Sequence, residues 1–205
     1  SGSSNAGPVA PLGGYFYDIE YTVNDYIDKT NNQTDKLILG LPYYGYDWPV
    51  VNDLINSGTT GYGTAKTYAE ARNLSQFHES FWDDISNSSW FTYLNDQWRQ
   101  TWYDDSSSLS FKYQFAKEKD LQGIGIWALG YDDNYNELWD VLENHFASYQ
   151  IGDVNFDQDI NIQDVIIVVN QIINLESYTV NADLNNDQSI DILDILILIN
   201  IVLDN

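Results

Sequence analysis

Asp153 to Asp164 reads Asp-Val-Asn-Phe-Asp-Gln-Asp-Ile-Asn-Ile-Gln-Asp, and Asp183 to Asp194 repeats it as Asp-Leu-Asn-Asn-Asp-Gln-Ser-Ile-Asp-Ile-Leu-Asp. No other feature limits so tightly what this chain folds into. Asp153, Asn155, Asp157, Asn161 and Asp164 carry side-chain oxygens at loop positions 1, 3, 5, 9 and 12, and Asp183, Asn185, Asp187, Asp191 and Asp194 repeat the set. The carbonyls of Asp159 and Ser189 stand at position 7. A twelve-residue loop with this spacing wraps Ca²⁺, which takes hard oxygen ligands at about 2.3–2.6 Å. Two such loops, each opening an apolar run of helical period, predict two calcium ions. Ile160 and Ile190 at position 8 suit a short strand through which paired loops meet. Gln158 and Gln188 occupy position 6, where the sharp turn favours Gly. A side chain held there at positive φ costs about 1 kcal/mol or more, which puts the calcium affinity in question. Asp at position 12 reaches less far than the usual Glu.

Two loops of this kind, each followed by a helix and neither preceded by a full one, resemble a type I dockerin over 151–205. The resemblance implies a small all-α, double-EF-hand-like domain that attaches to a cohesin-like protein on a scaffold or cell surface. Contact residues of many dockerins, at loop positions 10 and 11, are Ser-Thr. Ile162-Gln163 and Ile192-Leu193 stand there instead, so no familiar partner specificity carries over. The helix expected over 162–175 places Ile162, Val165, Ile166, Val169, Ile172 and Ile173 on one stripe, with Ile167 and Val168 off it. The one over 192–203 is apolar nearly all round. Such helices need cover on more than one side, from a cohesin-like partner or from the rest of the chain.

Charge sets the next bound. The chain has 31 acidic and 8 basic residues for a net charge of −23, and 151–205 holds no Lys or Arg at all. This excess argues against nucleic acid and anionic membranes as partners, and no stretch is apolar enough for membrane insertion. With no Cys, disulfides and thiolate chemistry are ruled out. Calcium loops of modest affinity suit an extracellular location, secreted or attached to a cell surface. A secretion signal, if one exists, is expected upstream of Ser1.

Before residue 150 the pattern alternates. Asp18 is placed to cap a helix bearing Ile19, Val23, Tyr26 and Ile27. Lys36–Leu41 and Gly123–Leu129 read as strands buried on both faces. Helices are expected over Thr64–Leu74, from Ser106–Ser108 to about Lys119, and over Glu137–Ala147, with a hairpin from Trp90–Leu94 to Trp98–Tyr103. This is the rhythm of an α/β barrel with parallel strands, whose chemistry lies on the loops after the strand ends, here Tyr43–Trp48 and Trp127–Asp133. Two strands cannot close a barrel, so the segment needs further strands.

Ser3–Leu12, Leu39–Trp48 (Leu-Gly-Leu-Pro-Tyr-Tyr-Gly-Tyr-Asp-Trp) and Gly123–Gly130 (Gly-Ile-Gly-Ile-Trp-Ala-Leu-Gly), in that order, resemble a family 18 glycoside hydrolase, the chitinase family. The resemblance implies that 1–149 is the C-terminal portion of a (β/α)8 TIM barrel, with strands seven and eight, flanking helices and a small hairpin insertion. It implies a chitin-like polysaccharide as ligand, with Trp127 beneath the scissile sugar and Tyr44 nearby. Tyr46, Asp47 and Trp48 are candidates either for substrate contact or for loop packing. Enzymes of this family carry Asp-x-x-Asp-x-Asp-x-Glu at the end of strand four, and the substrate's own N-acetyl oxygen is the nucleophile. That motif is absent from this sequence, so no catalytic residue is assigned and the chain alone is not expected to hydrolyse chitin. The partner is then a cohesin-like protein or the missing N-terminal part of the barrel. An alternative is a non-catalytic carbohydrate-binding or structural assembly protein. His78 and His145 are read as structural or solvated, and the paired acids Asp104-Asp105 and Asp132-Asp133 as helix caps.

Overall fold

A computed structural model describes residues 2–146, 150–174 and 179–204. Ala147 and Leu175, at which two of the expected helices end, lie outside the described residues. The chain divides into two compact units, Ser1–Phe146 and Ala147–Asn205. The first runs α1 (Ile19–Lys29), β1 (Ile38–Pro42), β2 (Tyr44–Pro49), β3 (Thr64–Thr67), α2 (Tyr68–Ser75), β4 (Ser80–Asp83), β5 (Ser88–Asn95), β6 (Gln97–Tyr103), α3 (Ser106–Glu118), β7 (Gly123–Trp127) and α4 (Glu137–Phe146).

β1 and β7 pair in parallel, from Ile38 opposite Gly123 to Pro42 opposite Trp127. They are not buried on both faces as their apolar runs suggest. Ile38 is 65% exposed, and Ile124 and Ile126 are half-buried, because among the described residues the two strands pair only with each other. On the covered face Leu41, Tyr43, Leu109, Tyr113 and Leu138 form a core with α1, α3 and α4. Asp18 caps α1 as expected, its carboxylate accepting the Tyr21 N–H at 2.7 Å.

The second sheet is antiparallel and larger than the expected hairpin insertion, with order β3-β2-β6-β5-β4. Tyr43–Trp48 therefore forms mostly a strand, β2, where a loop is expected, and β3 takes residues Thr64–Thr67 from the expected helix. Tyr44-Gly45-Tyr46 alternates across the pleat, and β2 runs against β6. A Cβ on Gly45 would stand 2.1 Å from the Trp102 carbonyl oxygen, so only Gly permits this approach. The β5–β6 hairpin turns at Asp96, whose φ is 56°. Trp90 and Trp102 stack at 5.4 Å and join Trp48 and Val50 in a second core. Such a ring pair adds about 0.5–1.5 kcal/mol beyond the area it buries.

Of the four acids read as caps, Asp105 is one, accepting the Ser108 N–H at 2.9 Å at the head of α3. Asp104 is not. It forms a buried ion pair with Lys112, which is 0% exposed. Asp132 is buried as well and accepts the Trp139 indole N–H at 2.5 Å.

In the second unit α5 (Ile162–Asn174) and α6 (Ile192–Asp204) follow the two acidic loops. The core side of α5 is Val165 and Val168, with Ile162, Ile166 and Ile173 exposed; α6 repeats this with Ile195 and Leu198 inside and Ile192, Leu196 and Leu203 outside. The buried stripe is thus turned from the expected one, and Val168 lies at its centre. No strand forms at position 8. Ile160 and Ile190 instead pack against the helical core. No described helix is long and apolar enough to cross a membrane.

Lys112→Met leaves Asp104 buried without its counter-charge and should destabilise the first unit by about 3–5 kcal/mol, most of it recovered by adding Asp104→Leu. All seven Trp lie in this unit, so their fluorescence during urea unfolding measures it alone.

Candidate functional site

The C-terminal ends of β1 and β7 are joined through Tyr43. Its N–H donates to the Trp127 carbonyl at 2.8 Å, and its own carbonyl accepts the Tyr68 N–H at 2.8 Å, at the first residue of α2. The next residue, Ala69, donates to the Tyr131 carbonyl at 2.9 Å. Three pieces of chain distant in sequence are thereby fixed around one opening. The opening is a cleft of 320 Å³ walled by Tyr44, Tyr46, Trp127 and Tyr131, with Lys66, Thr67 and Glu70 also in its lining. Trp127 is 69% exposed. A large aromatic left bare at the end of a parallel strand is held by function or by a partner more readily than by packing. Burial pushes the Tyr44 hydroxyl above its ordinary pKa, with Tyr46 and Tyr131 close by adding to the shift, so Tyr44 is uncharged at neutral pH.

The five candidates read from sequence part company here. Trp127, Tyr44 and Tyr46 converge on the cleft. Asp47 does not. It is 3% exposed, and its carboxylate accepts from Arg99 Nε at 2.8 Å, the Tyr93 hydroxyl at 3.0 Å and the Thr101 hydroxyl at 3.2 Å. This is the packing alternative, because alternation along β2 turns Asp47 to the face opposite Tyr44 and Tyr46. Trp48 is also buried and lines a neighbouring cavity. Tyr131, Lys66, Thr67 and Glu70 escaped the sequence reading. Tyr131 lies in the stretch after the second strand where such residues gather; Lys66 and Thr67 depend on β3, which no periodicity announces, and Glu70 on the first turn of α2. Glu70 is the one carboxylate of the cleft wall, and it is occupied in a capping box with the Thr67 N–H (2.9 Å) and hydroxyl. His78 stacks on Tyr93 at 4.8 Å, and His145 Nε2 lies 2.8 Å from the Ser110 hydroxyl.

The acidic loops of the second unit are held by their own backbone. Asp153 accepts from the Asp157 and Gln158 N–H groups at 3.2 and 2.9 Å, and Asp183 does the same with Asp187 and Gln188 at 3.1 and 2.8 Å. Asp164 and Asp194 are fully buried. The Asp164 carboxylate accepts from Val154, Asn155 and Asn161, and Asp194 from Leu184, Asn185 and Asp191. The position-12 residues thus knot each loop shut. Asn155 and Asp157 turn oxygens to the same turn, as do Asn185 and Asp187. The Asp159 carbonyl accepts from the Asn161 amide at 3.3 Å. Gln158 and Gln188 adopt φ of 72° and 69°, the strained turn their position requires. Among the described residues no group of three or more His, Cys, Asp or Glu side chains is set to hold a metal; of the six expected ligand positions the first loop offers three carboxylates and the second four, the rest being amide or carbonyl oxygens. The donor set is nonetheless entirely hard oxygen, the chemistry of a Ca²⁺ loop.

A family model, Glycosyl hydrolases family 18, matches residues 1–132, and the Dockerin type I domain matches 151–203. The chain belongs to glycosyl hydrolases family 18. A putative sporulation-specific glycosylase of Bacillus subtilis is 31% identical over 128 residues, 62% of this chain and 28% of the relative. The di-N-acetylchitobiase of Homo sapiens is 27% identical over 146 residues, 58% of this chain and 38% of that one. The chain thus spans well under half the length of these curated relatives. Among solved structures, a family 18 chitinase of Cycas revoluta in complex with (GlcNAc)3 matches with a TM-score of 0.63 at 23% identity, over 70% of this chain and 42% of that one. The human pseudo-chitinase YKL-39, described as retaining chitooligosaccharide binding, matches with 0.63 at 20%, over 70% and 46%. These likenesses establish the fold, so β1 and β7 are strands of a partial family 18 barrel.

Because Trp127 is exposed and Asp47 is not, their removal should diverge. Trp127→Ala should change stability by less than about 0.5 kcal/mol, whereas Asp47→Ala, which removes a buried carboxylate and strips the half-buried Arg99, Tyr93 and Thr101 of their shared acceptor, should cost about 3 kcal/mol. Urea unfolding of both variants, followed at 280 nm by circular dichroism, checks the contrast.

Proposed function

We propose that the first unit binds chitin-like β-1,4-linked N-acetylglucosamine chains, with Trp127 as the floor beneath one sugar and Tyr44, Tyr46 and Tyr131 as its wall. The observation that carries this reading is the exposure of Trp127 at the C-terminal end of a parallel strand, in a cleft walled by aromatic rings. Pyranose rings present a face of C–H groups that packs on a flat aromatic ring, while Thr67 and the tyrosine hydroxyls at the rim can meet sugar hydroxyls. This chain's role is binding. The Asp-x-x-Asp-x-Asp-x-Glu motif does not occur in it, and Glu70 is engaged as a cap, so hydrolysis by a longer protein would need its acid from elsewhere in the barrel. Membership of the family and the chitooligosaccharide complexes of structural relatives support the ligand class.

The second unit is read as a calcium-dependent attachment module. Each loop would hold one Ca²⁺ through Asp153, Asn155, Asp157, the Asp159 carbonyl, Asn161 and Asp164, and through Asp183, Asn185, Asp187, the Ser189 carbonyl, Asp191 and Asp194. Calcium supplies the charge that draws these acids together, and the exposed Ile162, Ile166, Ile192 and Leu196 would then face a cohesin-like partner. Such a role fits an extracellular setting, secreted or cell-surface attached.

Isothermal titration with (GlcNAc)4 is expected to show binding that Trp127→Ala abolishes; heat from wild type and variant alike would overturn the assignment. Calcium titration of the full chain should give two ions, one in either Asp153→Ala or Asp183→Ala, and none in the double variant. A stoichiometry indifferent to both substitutions contradicts the loop assignment.

A further inference from the structure

We propose that Asn181 is the positioning residue through which the two acidic loops act on each other, so that a calcium ion in either loop raises the affinity of the other. This rests on reading both loops as calcium sites. Asn181 stands two residues before Asp183, the first ligand of the second loop, in the one-turn helix Val180–Ala182. It holds the start of the first loop at two points. Its carbonyl accepts the Gly152 N–H at 2.9 Å, and its side-chain amide donates to the Asp153 carbonyl at 2.9 Å. Asp153 is thus gripped from both ends. Its carboxylate is held by the Asp157 and Gln158 N–H groups of its own loop, and its carbonyl by the approach to the other loop. The contact is close-packed: Gly152 adopts φ 100°, and a Cβ there would stand 3.1 Å from Leu198 of α6 and 3.3 Å from Ile160.

Two observations separate this role from packing. Asn181 is 1% exposed, yet its Oδ1 has no hydrogen-bond partner among the described residues. A buried acceptor without a donor costs stability, so an apolar residue of similar size would fill the space better. What the amide supplies, and Leu would not, is the bond to Asp153. That bond also breaks the repeat. The loops copy each other's hydrogen bonds, but thirty positions before Asn181 stands Ile151, which is 54% exposed and has no side-chain donor. The link therefore comes from one side chain and not from the fold that both halves share. Fixing Asp183 on an ion fixes the backbone that carries Asn181, and through its two bonds that of Gly152 and Asp153. Part of the ordering that the first loop needs is then already done, which couples the sites without a change of fold. By linkage the effect runs equally in the other direction.

The test is isothermal titration of the full chain with CaCl2, in wild type, Asn181→Leu and Asn181→Ala, each also combined with Asp153→Ala or Asp183→Ala to leave a single loop. Dividing the overall two-ion constant by the product of the two single-loop constants gives the coupling factor. Wild type should give about fivefold or more, the lower end of the usual span for coupled sites, and both position-181 variants a factor near one. Both variants keep the backbone bond to Gly152 and should still bind two ions, with helical circular dichroism in calcium-free buffer as the folding control. A factor near one in wild type, or an unchanged factor in the variants, overturns the coupling through Asn181 and leaves the calcium loops standing. Loss of both ions in both variants makes Asn181 structural and overturns the proposal as well. No ion bound by wild type overturns the calcium reading with it.

Discussion

The cleft depends on the backbone of Tyr43. Parallel strands leave their C-terminal ends at one edge, and Tyr43 is the first residue beyond β1. Its N–H on the Trp127 carbonyl and its carbonyl on the Tyr68 N–H tie β1, β7 and α2 together. The side chain is fully buried, with its hydroxyl 3.3 Å from that of Tyr113, so the knot is anchored in the core and cannot shift without unpacking it. Trp127 can then remain exposed at little conformational cost, because the strand that carries it is fixed from both sides. Rigid presentation of a bare aromatic is what lets a ring contact contribute to binding rather than to ordering the protein.

The second sheet follows from the same constraint. β2 leaves Tyr43 directly, and its alternation sends Tyr44 and Tyr46 to the cleft and Asp47 to the other side. A carboxylate buried there is tolerable because Arg99, Tyr93 and Thr101 converge on it. The same strand thus supplies the recognition surface on one face and a closed polar network on the other. Lys112 and Asp104 do comparable work beneath α3, where isolated charges would be far costlier than the pair.

In the second unit repetition governs. The loops repeat each other's hydrogen bonds thirty positions apart, down to the position-12 carboxylate that gathers three N–H groups and the Gln at positive φ. Backbone donors already hold each loop in its turn. The 151–205 stretch has no cation of its own, and the mutual repulsion of its acids is the reason divalent charge would stabilise it.

Sequence alone determined the two acidic loops, their register, the left-handed demand on Gln158 and Gln188, the parallel strands and the placement of Trp127, Tyr44 and Tyr46. Each of these is local: a ligand spacing, a turn geometry, or a residue at the end of an apolar run. Tertiary structure decided the rest. Asp47 and Trp48 look like their neighbours in sequence; only the pleat of β2 turns Asp47 to the other face, and packing with Trp90 and Trp102 buries Trp48. Val168 became the centre of the α5 core, although helical spacing set it beside the stripe, because the rotation of a helix is fixed by what it packs on. Asp104 reads as a cap until Lys112, two turns along α3, is found buried beside it. Periodicity records which residues prefer to be covered. Which side is covered, and by what, depends on contacts between segments far apart in the chain, and no local pattern contains them.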